Sequence, residues 1–283
     1  MDKLICLLAV QPIFSDQDFL SRWEILSSRI QKLLKSLEEK IFTLGVVVLP
    51  EYFLGSFEEC EKTFSTNKIF FERLDLIKEF AKLLRIHIVP GSGSFCSEKK
   101  IYNRSIIISD KGKEIGQYDK QYPFNLEKKR GYSAGKSNCF INIDGITLQV
   151  LICSDLWYPE LVRKKNDYQA DILTIPAMSV VDDENQTHYA RWYWHALASI
   201  RAKENVLPVI VADWAKYQVN SHWTGGGTSI IDPTVRWENE NEFKDTIKIF
   251  SNGEEGILSH CYFHKKIIEY RKYREETGLL IKK

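Results

Sequence analysis

Apolar side chains recur every three or four positions in parts of the chain, and this spacing predicts amphipathic helices. The longest stretch with this pattern is residues 16–40, where Trp23, Ile30 and Leu37 are among the apolar positions that share one face. Helices are also predicted at residues 73–85, 158–166 and 188–204. We therefore expect helices in both the early and the late parts of the chain.

Short apolar runs lie between these helices and are typical of buried strands. They span residues 45–50, 86–92, 171–177 and 206–212. Two further pairs of strands flank residues 110–112 (Asp-Lys-Gly) and 144–145 (Asp-Gly), which are hairpin signals. The apolar run in MDKLICLLAVQP fits a first strand better than a signal peptide, because Asp2 precedes it and no small-residue cleavage site follows.

The order of these elements indicates the fold class. Helices and strands alternate early and late, whereas hairpins occupy the middle, and a mixed sheet covered by helices on one face accounts for both observations. The sequence contains no linker-like composition, low-complexity tract or internal repeat. We predict a single α/β domain, residues 1–283, built as a sandwich in which the strands form two sheets.

The composition is that of an ordinary soluble protein. Hydrophobic residues make up 44% of the chain, the net charge is +1 and the pI is near 7.6. This balance gives no reason to expect nucleic acid or an anionic membrane as a partner. No stretch approaches the roughly 20 apolar residues that a membrane span needs.

Cysteine usage bears on the cellular compartment. Cysteines stand at positions 6, 60, 96, 139, 153 and 261, without a CxxC pair. A secreted disulfide scaffold would be shorter and richer in cysteine, and a structural zinc site would show paired ligands. We therefore expect reduced thiols, no metal site and a cytoplasmic location.

Three charged or reactive residues follow predicted strands. Glu51 comes directly after GVVVLP, Lys120 after EIGQYD and Cys153 after LQVLI. Taken singly, they read as a solvated acid, an edge charge and a buried core thiol. Taken together they form a chemical set, because a thiolate nucleophile needs a base and gains from a nearby cation. A tetrahedral oxyanion would then be bound by Lys120 and the backbone N–H of Ser154.

The sequence blocks around these residues resemble the nitrilase, or carbon–nitrogen hydrolase, superfamily. LPEYF resembles its glutamate block, YNRSIIISDKGKEIGQYDKQYPF its lysine block and LICSDLWYPEL its cysteine block. ADILTIPA, RAKEN, LPVIVAD and GGGTSIIDP match the later blocks in the same order. The resemblance covers about residues 3–263 and leaves 264–283 as a C-terminal tail. It implies a four-layer α-β-β-α sandwich of two mixed sheets flanked by helices.

The same resemblance implies roles for particular residues. Glu51 would be the general base, Lys120 the oxyanion stabiliser and Cys153 the nucleophile. Glu127 would be the family's second glutamate, with a solvated acid in a basic loop as the alternative. The implied enzyme belongs to the amidase or carbamoylase-like branch. It hydrolyses a small amide or carbamoyl compound through a cysteine thioester, releases ammonia and needs no cofactor.

Departures from the family's usual patterns bear on the substrate. Ser154-Asp155 replace the Trp-Glu of nitrile-cleaving members, which favours amide or carbamoyl substrates. Leu156 and Trp157 stand where hydrolases of N-carbamoyl amino acids tend to carry arginine, so that carboxylate clamp is absent. Asp213 replaces the usual asparagine and would suit an amine-bearing substrate if it faces the pocket; a surface acid is the alternative. Ser154, Trp157 and Asp213 are therefore our candidate substrate-binding residues.

Other functions stay open at the level of sequence. One is nitrile hydrolysis, and another is a catalytically silent member of the family that acts as a binding scaffold. Transfer of the acyl group to an amine instead of water is also compatible with the residues. We expect a homodimer or higher homo-oligomer, a small-molecule amide as substrate, and neither nucleic acid nor membrane as a partner.

Overall fold

The computed structural model describes residues 2–14, 18–37, 42–55, 63–162, 169–234 and 246–280. The helices in these residues are α1 (Phe19–Leu37), α2 (Thr63–Leu84), α3 (Leu126–Lys129), α4 (Pro159–Val162), α5 (Thr187–Asn205) and α6 (His264–Glu276). Short 3₁₀ helices span Cys153–Trp157 and Glu184–Gln186. The strands are β1 (Leu4–Gln11), β2 (Leu44–Val48), β3 (His87–Val89), β4 (Gly93–Ser97), β5 (Lys100–Ile108), β6 (Glu114–Asp119), β7 (Cys139–Ile143), β8 (Ile146–Val150), β9 (Ile172–Pro176), β10 (Val180–Val181), β11 (Val209–Ala212), β12 (Gln218–Val219), β13 (His222–Thr224), β14 (Ser229–Ile231), β15 (Ile247–Ile249) and β16 (Gly256–Phe263).

Most strands belong to two mixed sheets. Hydrogen bonds connect the first sheet in the order β16-β1-β2-β3-β5-β4, with β6 paired to β5. The second sheet has the order β15-β14-β11-β9-β8-β7, and β10-β13-β12 form a small separate sheet. Both predicted hairpins are present, since β5 pairs antiparallel with β6 and β7 with β8.

The two large sheets pack face to face, and helices cover their outer faces. Leu7 of β1 belongs to the core between the sheets, whereas its neighbour Leu8 belongs to the core beneath α1 and α2. Burial of both faces explains why β1 is an unbroken apolar run. On the opposite side, α5 packs on β11 and β14, and Trp194 and Ala198 join the core there. The predicted four-layer α-β-β-α sandwich is therefore confirmed.

The structure changes the bounds of several predicted helices. The helix expected at 16–40 is α1, which ends at Leu37, and residues 38–41 lie outside the described part of the chain. The helix expected at 73–85 is the second half of α2, which begins at Thr63. The short helix expected at 158–166 is described only as far as Val162, where α4 ends. The helix expected at 188–204 coincides with α5.

The prediction of one strand over residues 86–92 is wrong. β3 ends at Val89 and β4 begins at Gly93, with Pro90 and Gly91 between them. Proline has no N–H for a strand ladder. Gly91 has a left-handed backbone (φ 77°), and a Cβ there would lie 2.0 Å from the carbonyl oxygen of Pro50. The chain therefore turns at this point.

The C-terminal part of the chain contributes more structure than the sequence indicated. β16 pairs antiparallel with β1 along its whole length. α6 lies in the segment expected to be a tail, and its Ile267 is fully buried. β16 was not predicted from the sequence for two reasons. The polar residues Ser259 and His260 interrupt its apolar pattern, and its partner strand β1 lies at the other end of the sequence. No helix within the described ranges is long and apolar enough to cross a bilayer.

We expect Ile30→Ala to lower the free energy of unfolding by about 2–5 kcal/mol, because truncating a buried isoleucine leaves a cavity. Ile30 is fully buried in the core beneath α1. Leu20→Ala in the same helix is the matched control, since Leu20 is 62% exposed. It should change the free energy by no more than about 0.5 kcal/mol. Urea unfolding followed by circular dichroism measures both, and equal effects would contradict the buried face assigned to α1.

Candidate active site

Glu51 lies buried just beyond the end of strand β2. Its backbone N–H donates to the carbonyl oxygen of Ala177 at 3.1 Å, which links the first sheet to the chain leaving β9 in the second. The next residue, Tyr52, has a left-handed backbone (φ 60°), so the chain turns sharply there. Glu51 itself is only 2% exposed. A contact between the two sheets thus fixes the position of this carboxylate.

Lys120 directly follows β6, and its ammonium group lies between two carboxylates. The Nζ atom donates to Glu51 Oε1 at 2.7 Å and to Glu127 Oε2 at 2.8 Å. The backbone N–H of Lys120 donates to the carbonyl oxygen of Asn103 in β5 at 2.9 Å, which holds the segment against the first sheet. The lysine is fully enclosed, and a buried charge of this kind requires paired partners.

Cys153 occupies a strained turn shortly after β8. Its φ of 47° lies in the left-handed region, which residues other than glycine rarely adopt. A 3₁₀ helix starts at this residue, so the chain changes direction where the thiol is presented. The Sγ atom lies 3.9 Å from the carbonyl oxygen of Met178, and the residue is 8% exposed. Backbone strain of this kind clusters at functional sites.

Glu127 comes from the short helix α3 and joins the same cluster. Besides Lys120, its carboxylate accepts hydrogen bonds from the Tyr52 hydroxyl at 2.7 Å and from the backbone N–H of Phe124 at 2.6 Å. The side chain is buried. The alternative interpretation, a solvated acid in a basic loop, therefore does not hold.

Asn103 also belongs to this cluster and was not predicted from the sequence. Its Nδ2 donates to Glu51 Oε1 and to Glu127 Oε1, both at 2.8 Å. A neutral donor between two carboxylates reduces their repulsion without adding charge. The buried Oδ1 atom has no hydrogen-bond partner among the described residues. Asn103 stands beside Arg104 and Ser105 in the polar half of β5, and such residues commonly face solvent, so no local signal marked it.

Ser154 and Asp155, the two residues that follow Cys153, connect the 3₁₀ helix to the chain around the end of β6 by hydrogen bonds. Asp155 accepts hydrogen bonds from the Tyr118 hydroxyl at 2.7 Å and from the backbone N–H of Tyr122 at 2.8 Å. The Ser154 hydroxyl donates to the carbonyl oxygen of Tyr122 at 2.8 Å. Tyr118 and Tyr122 flank the lysine of the cluster in sequence. These bonds therefore hold the thiol segment beside the ammonium segment.

The other two candidate substrate-binding residues lie in different surroundings. Trp157 is 38% exposed, and its ring packs edge-to-face against Phe124, with centroids 5.2 Å apart, and against Tyr193 at 6.1 Å. Asp213 is fully buried, so the surface-acid alternative does not hold for it. Its carboxylate accepts hydrogen bonds from the backbone and the hydroxyl of Ser179.

Burial and the charges within the cluster together set the protonation states of its members. Loss of solvation raises the pKa of Glu51 to about 7, although the Lys120 charge opposes it. Loss of solvation, reinforced by Glu51, also raises the pKa of the Cys153 thiol well above its usual range. Burial lowers the pKa of Lys120, but its anionic neighbours outweigh burial and raise this pKa. For Glu127, burial is outweighed by Lys120 and the hydrogen bonds, so its pKa falls.

This arrangement can move a proton beside a fixed cation. Glu51 and Cys153 lie close enough together for each to shift the pKa of the other. A carboxyl group whose pKa lies near 7 can take the thiol proton and later return it. The ammonium of Lys120 stays charged and can stabilise negative charge that develops next to the sulfur. No group of three or more His, Cys, Asp or Glu side chains in the described ranges could hold a metal ion.

Comparison with known proteins shows the family. The model of the carbon-nitrogen hydrolase family matches residues 11–246. The chain is 27% identical over 211 residues to the 2-oxoglutaramate amidase of Bacillus subtilis, covering 74% of this chain and 78% of that protein. The chain therefore belongs to the carbon-nitrogen hydrolase family, and the resemblance inferred from the sequence blocks is confirmed.

Solved structures share the fold. Nit3 of Saccharomyces cerevisiae, described as a member of branch 10 of the nitrilase superfamily, has a TM-score of 0.75 at 22% identity, covering 96% of this chain and 94% of that one. A variant of the amidase from Nesterenkonia sp. AN1 has a TM-score of 0.69 at 15% identity, covering 98% and 97%. In that structure the acetamide moiety of fluoroacetamide is covalently added at the active site cysteine.

We expect the rate of Cys153 alkylation by iodoacetamide to rise with pH through an inflection near 7. The thiol reacts only after losing its proton. Glu51, with a pKa of about 7, accepts that proton only when ionised, which requires a pH above this value. Without this base the buried thiol would lose its proton only at a pH well above its ordinary pKa of about 8.5. Mass spectrometry of the Cys153 peptide measures the rate, and a Glu51→Gln variant that keeps the inflection would contradict this role of Glu51.

Proposed function

We propose that the protein is a thiol-dependent amidohydrolase that cleaves the C–N bond of a small linear amide and releases ammonia. The observation that supports this proposal is the convergence of Glu51, Lys120 and Cys153 in one buried cluster, with the lysine 2.7 Å from the glutamate. The amidases among the relatives agree with it. The family assignment supports the reaction class, and the geometry of the cluster supports the roles proposed below.

The first half-reaction is acylation of the thiol. Ionised Glu51 takes the proton from Cys153 while Sγ attacks the carbonyl carbon of the amide. The tetrahedral oxyanion is stabilised by the ammonium of Lys120 and the backbone N–H of Ser154. Glu51 then gives its proton to the nitrogen, the C–N bond breaks, and ammonia leaves behind a Cys153 thioester.

The second half-reaction is hydrolysis of the thioester. Glu51 removes a proton from a water molecule as its oxygen attacks the thioester carbon. The same donors bind the second oxyanion, and the C–S bond then breaks. Glu51 returns the proton to the sulfur, so the carboxylic acid product leaves and the thiol is restored. One difficult step is thereby divided into two easier ones.

The proposed substrate class rests on the relatives and on the residues that lie close to the cluster in sequence. The names of 2-oxoglutaramate amidase and omega-amidase among the relatives point to amides at the far end of a carboxylic acid. Two exposed lysines, Lys128 and Lys129, follow Glu127 in α3, and their charge is compatible with a substrate that carries a distal carboxylate. Leu156 and Trp157 carry no charge that could bind an α-carboxylate close to the reacting carbon. We therefore propose ω-amides and neutral amides as substrates, and not N-carbamoyl-α-amino acids.

An amine-bearing substrate, expected from Asp213, receives no further support. A carboxylate has about four acceptor positions. In Asp213 they accept hydrogen bonds from Ser179 N–H, Ser179 O–H, Trp214 N–H and Gly227 N–H. No acceptor position is left over for an ammonium group, and we do not carry the amine preference into the proposal.

We expect Cys153→Ala to abolish ammonia release while leaving the fold intact, because the change removes the nucleophile and little volume. The stability should fall by only about 1 kcal/mol. Cys139→Ser and Cys96→Ser are the controls and should retain turnover, since Cys139 lies in β7 and Cys96 in β4, outside the segments that carry Glu51, Lys120 and Cys153. Ammonia assays and thermal unfolding measure the two effects. Turnover of the Cys153→Ala protein within tenfold of wild type would contradict the assignment.

We expect kcat/KM for an ω-amide such as succinamate, or for a neutral aliphatic amide, to exceed that for an N-carbamoyl-α-amino acid of similar length by at least about tenfold. The reason is that a carboxylate buried near the thiol without a cation is costly. Ammonia release from each compound measures the preference. A matched nitrile tests the alternative reaction, and faster cleavage of the nitrile would contradict an amidase.

A further inference from the structure

Asp213 is a buried acid that the proposed mechanism does not use. It follows β11, and its two oxygens serve different donors. Oδ1 accepts from the backbone N–H of Ser179 at 2.9 Å and of Trp214 at 2.8 Å. Oδ2 accepts from the Ser179 hydroxyl and from the backbone N–H of Gly227 at 2.7 Å. One side chain therefore joins three separate segments of the chain.

The glycine run at residues 225–227 fits closely around this carboxylate. A Cβ at Gly227 would lie 2.8 Å from Cβ of Trp194 and 3.2 Å from Asp213 Oδ2. A Cβ at Gly225 would lie 2.6 Å from the hydroxyl oxygen of Ser179, to which the N–H of Gly225 donates at 3.0 Å. The backbone can approach Asp213 and Ser179 only because these positions lack side chains.

Two of the segments joined by Asp213 contact the catalytic cluster. The chain leaving β9 presents the carbonyl oxygen of Met178 to Cys153 Sγ at 3.9 Å. On the other segment, the indole N–H of Trp214 donates to the carbonyl oxygen of Glu51 at 2.7 Å. A shift in either segment would therefore be transmitted to the thiol or to the general base.

We propose that Asp213 is a positioning residue for the amidase reaction: by accepting hydrogen bonds from Ser179, Trp214 and Gly227, it sets the placement of Cys153 and Glu51. This proposal rests on the proposed function. It assigns Asp213 an indirect action through the two segments and no contact with substrate.

The chemistry of the contacts requires a carboxylate in this chain. Each oxygen of Asp213 faces at least one backbone N–H, from Ser179 and Trp214 on one side and from Gly227 on the other. Asparagine has one carbonyl oxygen and one NH₂ group. In either orientation its NH₂ would face a backbone N–H, which leaves a buried donor without a partner. Asparagine, the residue usual in the family, would therefore fit this environment poorly.

The test uses Asp213→Asn and Ser179→Ala, singly and together, in the full-length protein. We expect Asp213→Asn to lower kcat for succinamate at least about tenfold with KM changed less than threefold, because small misplacements of reacting groups cost rate. Alkylation of Cys153 by iodoacetamide should slow in parallel. Ser179→Ala should also lower kcat, but by a smaller factor. The double variant should lose kcat by less than the product of the two single factors, because both changes affect the same contact.

The matched control is Asp232→Asn. Asp232 is also buried and accepts hydrogen bonds from Thr234 and contacts His260, but its described contacts do not reach the cluster. Its replacement should cost stability without changing kcat more than about twofold, which separates positioning from general destabilisation. Thermal unfolding of every variant measures its loss of stability, which is then compared with its loss of kcat.

Two results would overturn the proposal. One is an unchanged kcat together with an unchanged rate of Cys153 alkylation in the Asp213→Asn protein. If that variant fails to fold, the same result in Ser179→Ala has the same meaning. The other is an equal loss of kcat in Asp213→Asn and Asp232→Asn at equal loss of stability. Absence of ammonia release from wild-type protein with every amide would instead overturn the proposed function. The alkylation rates would still report on the position of the thiol in that case.

Discussion

The candidate site depends on one buried ammonium group. Removing an ion from water costs several kcal/mol, and a partner compensates for this only when the geometry is good. Lys120 meets that condition with two carboxylates, at 2.7 Å from Glu51 and 2.8 Å from Glu127. The three residues come from the end of β2, the end of β6 and α3. The charge balance of the lysine therefore requires these segments of the fold to meet at one point.

The two carboxylates differ because their neighbours differ. Glu127 accepts hydrogen bonds from the Tyr52 hydroxyl and the Phe124 N–H as well as from Lys120, and these donors favour its ionised form. Glu51 is more strongly affected by burial, and its pKa rises to about 7. Two acids beside one cation thus have separate tasks. Ionised Glu127 keeps Lys120 in its charged form, and Glu51 can exchange a proton at neutral pH.

The parts of the site that could be predicted from the sequence are those with local signals. Apolar runs that end abruptly located Glu51 and Cys153, whereas turn residues located the two hairpins and Lys120 at the end of the second strand of one of them. Asn103 was missed because its importance comes from carboxylates that are distant in sequence. The pairing of β16 with β1 was missed for the same reason, since it joins the two ends of the chain. The surroundings of Asp213 likewise depend on segments that no local pattern connects.

Acidic residues in this chain carry out two physical tasks that a sequence motif cannot distinguish. Glu51 has a carboxyl group poised to exchange a proton, whereas Asp155 and Asp213 accept backbone N–H groups. Asp155 joins the thiol helix to the end of β6, and Asp213 joins the chain leaving β9 to the glycine run. Hydrogen bonds to an ionised acceptor are stronger than neutral ones, so a buried carboxylate can hold irregular backbone that no sheet ladder would hold. The loops of the site are thereby fixed by charge, while the sheets beneath them are fixed by apolar packing.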